Sequence, residues 1–159
     1  MSERPTRVYG FDGPYAFLSN FAPSPIEHEG VLYPTVEHAF AACKTFDRQK
    51  RVEIARAATP GRAKRLGRAV PLRADWEEVK TDVMLALVRR KFDAHPSLLR
   101  QLIATGSAEL VEANGWHDRV WGVDRATGLG ENRLGIVLMI VRTELGAIAR
   151  SNGTYPTTN

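Results

Sequence analysis

The sequence predicts a single α+β domain, mainly helical, with a few short β-strands. Three observations point to this class. Several stretches carry apolar residues at helical spacing between recognisable start and stop signals. Short pieces rich in Val, Tyr and Phe, separated by glycines and prolines, occupy residues 7 to 33. No internal repeat, low-complexity segment or interdomain linker interrupts the chain. With 159 residues it is long enough for one sizeable core.

In chain order, residues 1–6 are expected to be flexible, 7–149 to form the domain, and 150–159 to be a flexible tail. "RVYGF" and "GVLY" read as strands, and "IEHEGVLY" as a hairpin turning near Glu29 and Gly30. The first helix starts after Thr35, whose hydroxyl can cap it, and is expected to reach about Phe46. A second covers roughly 48–58. In "TPGRAKRLG", Thr59 caps, Pro60 takes the first helical position and Gly67 is read as the stop. "DWEEVKTDVMLALVRRKF" is the strongest helix. Asp75 is its expected cap, Glu78 completes a capping-box spacing, and Trp76, Val79, Val83, Leu87 and Phe92 form a stripe. His95-Pro96 breaks it. A helix over about 97–104 ends near Gly106, and "AELVEA" reads as a strand. A long loop from Asn114 to Glu131 carries Trp116 and Trp121. "NRLGIVLMIVRTELGAI" is the last helix, with Asn132 placed to cap it.

Composition removes several function classes. Cys43 is the only cysteine, so neither an internal disulfide nor a site of several thiolates within the chain can form, and a cytoplasmic setting is the expectation. The four histidines show no short metal-ligand spacing, so neither a metal nor another cofactor is expected. No apolar run is long enough for a bilayer, so no membrane partner is expected. The net charge of +4 favours an anionic partner, either a phosphorylated metabolite or nucleic acid. Residues 48–73 concentrate that charge, with nine Lys and Arg residues between Arg48 and Arg73. Oligomeric state is not legible.

Within the first helix, Val36, Phe40, Cys43 and Asp47 share one face, and Glu37, Ala41, Lys44 and Arg48 a neighbouring one. Glu37 and Lys44 stand two turns apart, about 10.5 Å along the axis. Ala41 between them leaves room for the floor of a pocket. A first-turn carboxylate is also what a helix dipole favours, with no further role required.

The stretches "FLSNFAPSPI", "YPTVEHAF...K", "LRADWEEVK", "VMLALVRRKF", "DRVWG" and "GENRLGIVLMIVR" follow one another over residues 17–142. Together they resemble the NADAR, or YbiA-like, family. The resemblance implies an α+β fold and N-glycosidase activity on a bond between ribose C1 and a nitrogen. It implies two substrate types: ribosylamino-pyrimidine phosphates of riboflavin synthesis, and ADP-ribose attached to guanine in DNA or RNA. The partner is then a phosphorylated ribosyl or ADP-ribosyl substrate, with ADP-ribosylated DNA or RNA as its larger form. Carried over by position, Glu37 and Lys44 match the family's E-H-x-F-Q-x-x-K helix, and Asn20 and Phe21 its F-L-S-N-F segment. Trp76 matches the tryptophan before the long helix. Asp118, Trp121 and Gly122 match its D-x-x-W-G loop, and Asn132 and Arg133 the opening of the last helix. This chain departs at Ala41, where the family usually has glutamine, and at Val123-Asp124, where the loop often continues Asp-Gly.

Cleaving a C1–N bond calls for a carboxylate beside C1 and a proton donor for the leaving nitrogen. Glu37 suits the first role, because a helix N-terminus favours its ionised form. Asp118 is the candidate second carboxylate, with a loop cap as its alternative. Lys44 is either an ammonium pairing with phosphate or Glu37, or a desolvated neutral amine able to form a Schiff base with C1 of an opened sugar. Trp116 and Trp121 offer faces for a base. Backbone N–H groups at Asn132 and Arg133 offer a phosphate site. The competing class is a non-catalytic ADP-ribose or nucleotide-binding module, which needs aromatic faces and phosphate donors but no Glu–Lys pair. A general nucleic-acid binder built on residues 48–73 is a third reading.

Overall fold

The computed structural model describes residues 4–154, and these carry six α-helices and six short strands. The expected α+β class, mainly helical, is the one adopted. Contacts gather into two units: Ser19–Ala94, and the described residues of Met1–Leu18 with His95–Asn159. The flexible termini expected at 1–6 and 150–159 fall partly outside the described residues. Within them, the last helix continues to Ser151.

In Ser19–Ala94, strands β1 (Ile26–His28) and β2 (Val31–Tyr33) form the expected antiparallel hairpin. Glu29 (φ 48°) and Gly30 (φ 77°) both lie in the left-handed region, as a two-residue type I′ turn demands. The Glu29 carboxylate is taken by Arg51. Helix α1 is Val36–Ala42, followed by α2 (Arg48–Ala55), α3 (Pro60–Ala69) and α4 (Trp76–Ala94). Thr35 and Thr59 cap α1 and α3 through their hydroxyls, and Pro60 opens α3.

Three expectations are corrected here. Helix α1 stops at Ala42, so Phe46 stands beyond it, 68% exposed. The chain turns there because local side chains compete for the backbone. The Thr45 hydroxyl accepts the Asp47 N–H at 3.2 Å, and the Asp47 carboxylate accepts those of Gln49 and Lys50, starting α2. Gly67 does not end α3; it is where α3 meets α1. A Cβ there would lie 2.8 Å from the Ala41 Cβ and 3.1 Å from its Cα. Asp75 holds the capping position through its carbonyl, which takes the Glu78 and Val79 N–H groups. Its carboxylate forms a bidentate pair with Arg73, at 2.6 and 2.8 Å.

The other unit is built around two short parallel pairings. Strand β3 (Arg7–Tyr9) pairs with β4 (Glu109–Val111), and β5 (Ala113–Asn114) with β6 (Val123–Asp124). The expected single strand at "AELVEA" is thus split between β4 and β5, and the long loop contains β6. Helices α5 (Pro96–Ala104) and α6 (Arg133–Ser151) complete it. Gly106, at φ 63°, follows the end of α5 in the conformation that a helix C-terminus favours.

Candidate functional site

The candidate residues fall into two groups, one in each unit. In Ser19–Ala94, α1 carries Glu37 in its first turn, and the Glu37 N–H donates to the Asn20 carbonyl at 3.1 Å. The Asn20 side chain is buried, with Nδ2 3.4 Å from the Met84 sulfur on α4. The loop that holds Asn20 and Phe21 is therefore pinned to the start of α1 and to α4. Phe21 is exposed, and the Lys64 amine of α3 lies 6.0 Å from its ring centre.

Lys44 stands two residues past the last residue of α1, in a turn closed by its N–H on the Ala41 carbonyl at 3.3 Å. Its own carbonyl accepts the Arg73 N–H at 2.8 Å, which fixes the backbone. The straight two-turn helical spacing from Glu37 is corrected accordingly. Ala41 is not an open floor between the two charges: it is 1% exposed and packed on Gly67. The Lys44 amine is half-buried and lies 6.0 Å from the Phe40 ring centre. Phe40 packs on Trp76, with centroids 5.0 Å apart. Burial pushes the Lys44 pKa below its ordinary value. The Glu37 charge opposes that shift, and Arg68, Lys64 and Lys80 add to it. The result is an amine shielded from water, near a carboxylate, among other cations.

Two further groups in this unit, both within the quoted motifs but outside the candidate set, support the site. His38 is buried, its Nε2 on the Ala57 carbonyl at 3.1 Å and its Nδ1 on the Thr35 hydroxyl at 2.8 Å. A carbonyl only accepts, so Nε2 carries a proton, and in the neutral ring Nδ1 takes the Thr35 proton. Lys91 is 1% exposed and donates to the Ser19 carbonyl at 3.0 Å, one residue before Asn20. Burial pushes its pKa down to about 7. The signal was in the sequence: Met84, Val88 and Lys91 stand at i, i+4 and i+7, and the first two are core residues.

In the other unit, Asp118, Trp121, Gly122, Asn132 and Arg133 meet where the tryptophan loop enters α6. Asp118 Oδ1 accepts the N–H groups of Val120 (3.0 Å) and Trp121 (2.9 Å), forming the turn before Trp121. Asn114 holds Asp118 by both backbone groups: its Oδ1 accepts the Asp118 N–H, and its Nδ2 donates to the Asp118 carbonyl. Gly122 is obligatory, because a Cβ would meet the Glu112 carbonyl at 2.1 Å. Trp116 is 65% exposed and so stands outside the core.

Two expectations at α6 are corrected. Asn132 makes no side-chain cap. At φ 51° its amide instead bridges β4, donating to the Leu110 carbonyl and accepting the Glu112 N–H, both at 2.9 Å. It thus imitates a neighbouring strand. The opening N–H groups of α6 are not available for phosphate either: Asn132, Arg133 and Leu134 donate to the Gly122, Val120 and Trp121 carbonyls. Asp124, outside the candidate set, organises the loop, its Oδ1 accepting from the Ala126 and Thr127 N–H groups and the Thr127 hydroxyl. Among the described residues no group of three or more His, Cys, Asp or Glu could hold a metal ion.

Comparison with known proteins decides the family. The NADAR domain model matches residues 9–146. The chain belongs to the NADAR family. It is 42% identical over 147 residues to N-glycosidase YbiA of Escherichia coli (strain K12), covering 91% of both chains. It is 38% identical over 147 residues to N-glycosidase Npun_R5314 of Nostoc punctiforme, covering 89% of this chain and 93% of that one. The riboflavin biosynthesis protein VVA0006 of Vibrio vulnificus is 39% identical over 145 residues, 90% of this chain but only 39% of that protein. The NMR structure of E. coli YbiA superposes with a TM-score of 0.78 at 43% identity, covering 89% of this chain and 84% of that one. The family resemblance read from the motifs is thus confirmed, and the α+β fold with it. No helix of the described residues is long and apolar enough to cross a membrane.

Proposed function

We propose that this NADAR protein cleaves the bond between ribose C1 and a nitrogen of a phosphorylated N-ribosyl substrate, with Lys44 as the nucleophilic amine and Glu37 as its anionic partner. Its class is that of its relatives named N-glycosidases: a hydrolase of N-glycosyl bonds. The observation that carries the residue assignment is the Lys44 amine, desolvated against Phe40 with Glu37 and three cations acting on it. Burial makes the neutral amine accessible nearer to neutral pH, which a Schiff-base lysine needs. The substrate nitrogen first expels the ring oxygen, which takes a proton, and C1 becomes an iminium carbon. The Lys44 lone pair adds to C1. Its proton passes to the substrate nitrogen, with Glu37 as the carrier, and the C1–N bond breaks to release the amine. Water then adds to the Lys44–C1 iminium, and the amine leaves as the free sugar forms.

The first substrate reading is a ribosylamino-pyrimidine phosphate, supported by the riboflavin biosynthesis protein among the relatives. The second, ADP-ribosylated guanine in DNA or RNA, is favoured by the net charge of +4. A cytoplasmic setting fits both, with the one thiol, Cys43, buried and its pKa raised to about 11. In this reading Asn20 is held against the Glu37 backbone, Trp76 backs Phe40, and Phe21 lies exposed near Lys64. Asp118 and Asn132 shape the loop that presents Trp121. The test is product analysis against both substrate types with wild type and Glu37→Gln. Release of the free base or amine by wild type, abolished in a Glu37→Gln protein of unchanged circular dichroism, supports the reading. Retention of the modified oligonucleotide without cleavage of either substrate replaces it with a binding module, and full turnover by folded Glu37→Gln removes Glu37 from the reaction.

A further inference from the structure

A second basic feature lies apart from residues 48–73 in sequence and within the other unit. A cleft of about 670 Å³ is lined by Arg4, Arg100, Arg142 and Arg150, together with residues of α5, α6 and the turn after α5. Among the described residues, no acidic or aromatic side chain lines it. Its shape follows from three local features. Arg142, Gly146 and Arg150 recur every four residues on one face of α6, and the glycine between them leaves the floor open. A Cβ at Gly146 would stand 3.5 Å from Arg150 Nη1 and 3.8 Å from Ile103 of α5. Arg142 is anchored by Nη1, which donates to the Thr105 hydroxyl (2.8 Å) and the Ala108 carbonyl (2.9 Å). Arg4 lies over Gly106, its Cδ and Nη1 both 3.6 Å from where a Cβ would be.

Five other arginines of this chain have carboxylate partners: Arg7 on Glu109, Arg51 on Glu29, Arg73 on Asp75, Arg125 on Asp12 and Arg133 on Glu131. Among the described residues, none of the four cleft arginines forms such a pair. Four guanidiniums around one concavity repel one another, and an anion relieves that repulsion.

We infer that this arginine-lined cleft binds the phosphodiester backbone of a nucleic acid. The spread of charge selects the ligand. Arg142 and Arg150 are eight residues apart on α6, about 12 Å along its axis. One strand of a duplex carries a phosphate about every 3.4 Å along its axis, so the cleft spans several phosphates and exceeds one phosphate group. The described lining residues offer arginine forks and no aromatic face for base stacking, so contact is to backbone and independent of sequence. Arginine is suited to the task because its planar fork stays charged and pairs with phosphate through two N–H groups. The inference deepens the nucleic-acid reading of the function. Its test reads binding alone, so it holds or fails whether or not hydrolysis is seen.

The experiment is fluorescence anisotropy with an unmodified, labelled oligothymidylate, for wild type, Arg100→Ala/Arg150→Ala and, as control, Arg48→Ala/Arg56→Ala on α2. Both Arg100 and Arg150 are exposed, so the double variant keeps its fold. With four phosphates neutralised, wild-type affinity falls about 50-fold between about 50 and 200 mM salt, from a slope of about −0.7 per contact. The cleft variant binds more weakly at low salt and falls only about 7-fold over the same range. The α2 variant behaves as wild type, and inorganic pyrophosphate at oligonucleotide concentrations does not compete. The inference is overturned if wild type does not bind, if the cleft variant keeps the wild-type affinity and salt response, if the α2 variant loses as much, or if stoichiometric pyrophosphate displaces the oligonucleotide.

Discussion

Lys91 makes stability depend on pH in a direction that a surface lysine does not. Its folded pKa is about 7 against an ordinary 10.5, and burial is the cause. Between those values the unfolded chain holds a proton that the folded chain has released, so stability rises with pH across that window. Below it both states are protonated, and the folded protein bears the full cost of a buried ammonium. The whole rise is about 5 kcal/mol, from about 1.4 kcal/mol per pKa unit, and the part between about pH 7 and 9 is roughly 2 kcal/mol. Urea unfolding at about pH 7, 8 and 9 measures it, with Lys91→Met as comparison. Methionine keeps an unbranched chain and loses the titrating group. The variant therefore loses this rise, and at high pH it is the less stable protein by about 1–3 kcal/mol, because the Ser19 carbonyl loses its donor. Lys44 also has a lowered pKa, but it is present in both proteins, so the difference isolates Lys91. A variant with the same pH dependence as wild type refutes the reasoning.

Borohydride added during turnover traps a sugar adduct that mass spectrometry maps to Lys44. Lys44→Arg keeps the charge but gives none, and wild-type hydrolysis by Lys44→Ala removes the residue from the mechanism. With the neutral Lys44 amine as the proposed nucleophile and its pKa lowered by burial, kcat is expected to rise with pH through that value and then level; a rate that falls as the amine deprotonates contradicts the nucleophilic role. Asp118→Asn keeps an oxygen for the Val120 and Trp121 N–H groups, so as a turn-former it costs under about 1 kcal/mol of stability with kcat per folded molecule unchanged, whereas a drop in kcat alone marks a role in proton transfer. On α3, Gly67→Ala destabilises by about 1–3 kcal/mol through overpacking on Ala41, while Gly61→Ala, with only the Thr59 hydroxyl 4.0 Å away, stabilises by up to about 1 kcal/mol; thermal melts compare them.

Local hydrogen bonding was legible in the sequence because its partners lie within a few residues. Thr35 caps α1 and Thr59 caps α3, Pro60 follows its cap, and the hairpin turns at Glu29-Gly30, all as the chain alone specifies. The family, and with it the reaction class, came from ordered motifs along one chain. What the sequence could not decide rests on contacts between distant segments. Gly67 reads as a helix stop until Ala41 is found against it, and then it is the point where two helices touch. Asn132 reads as a cap until its amide is seen to bond Leu110 and Glu112, some twenty residues earlier. Lys91 shares a helix face with the core residues Met84 and Val88, but its partner, the Ser19 carbonyl 72 positions away, is set by the packed chain. The four cleft arginines are scattered over nearly the whole sequence. Local geometry is set by steric and hydrogen-bond rules that operate within a turn. Desolvation and charge density depend on which remote atoms surround a group, and only the packed chain supplies those.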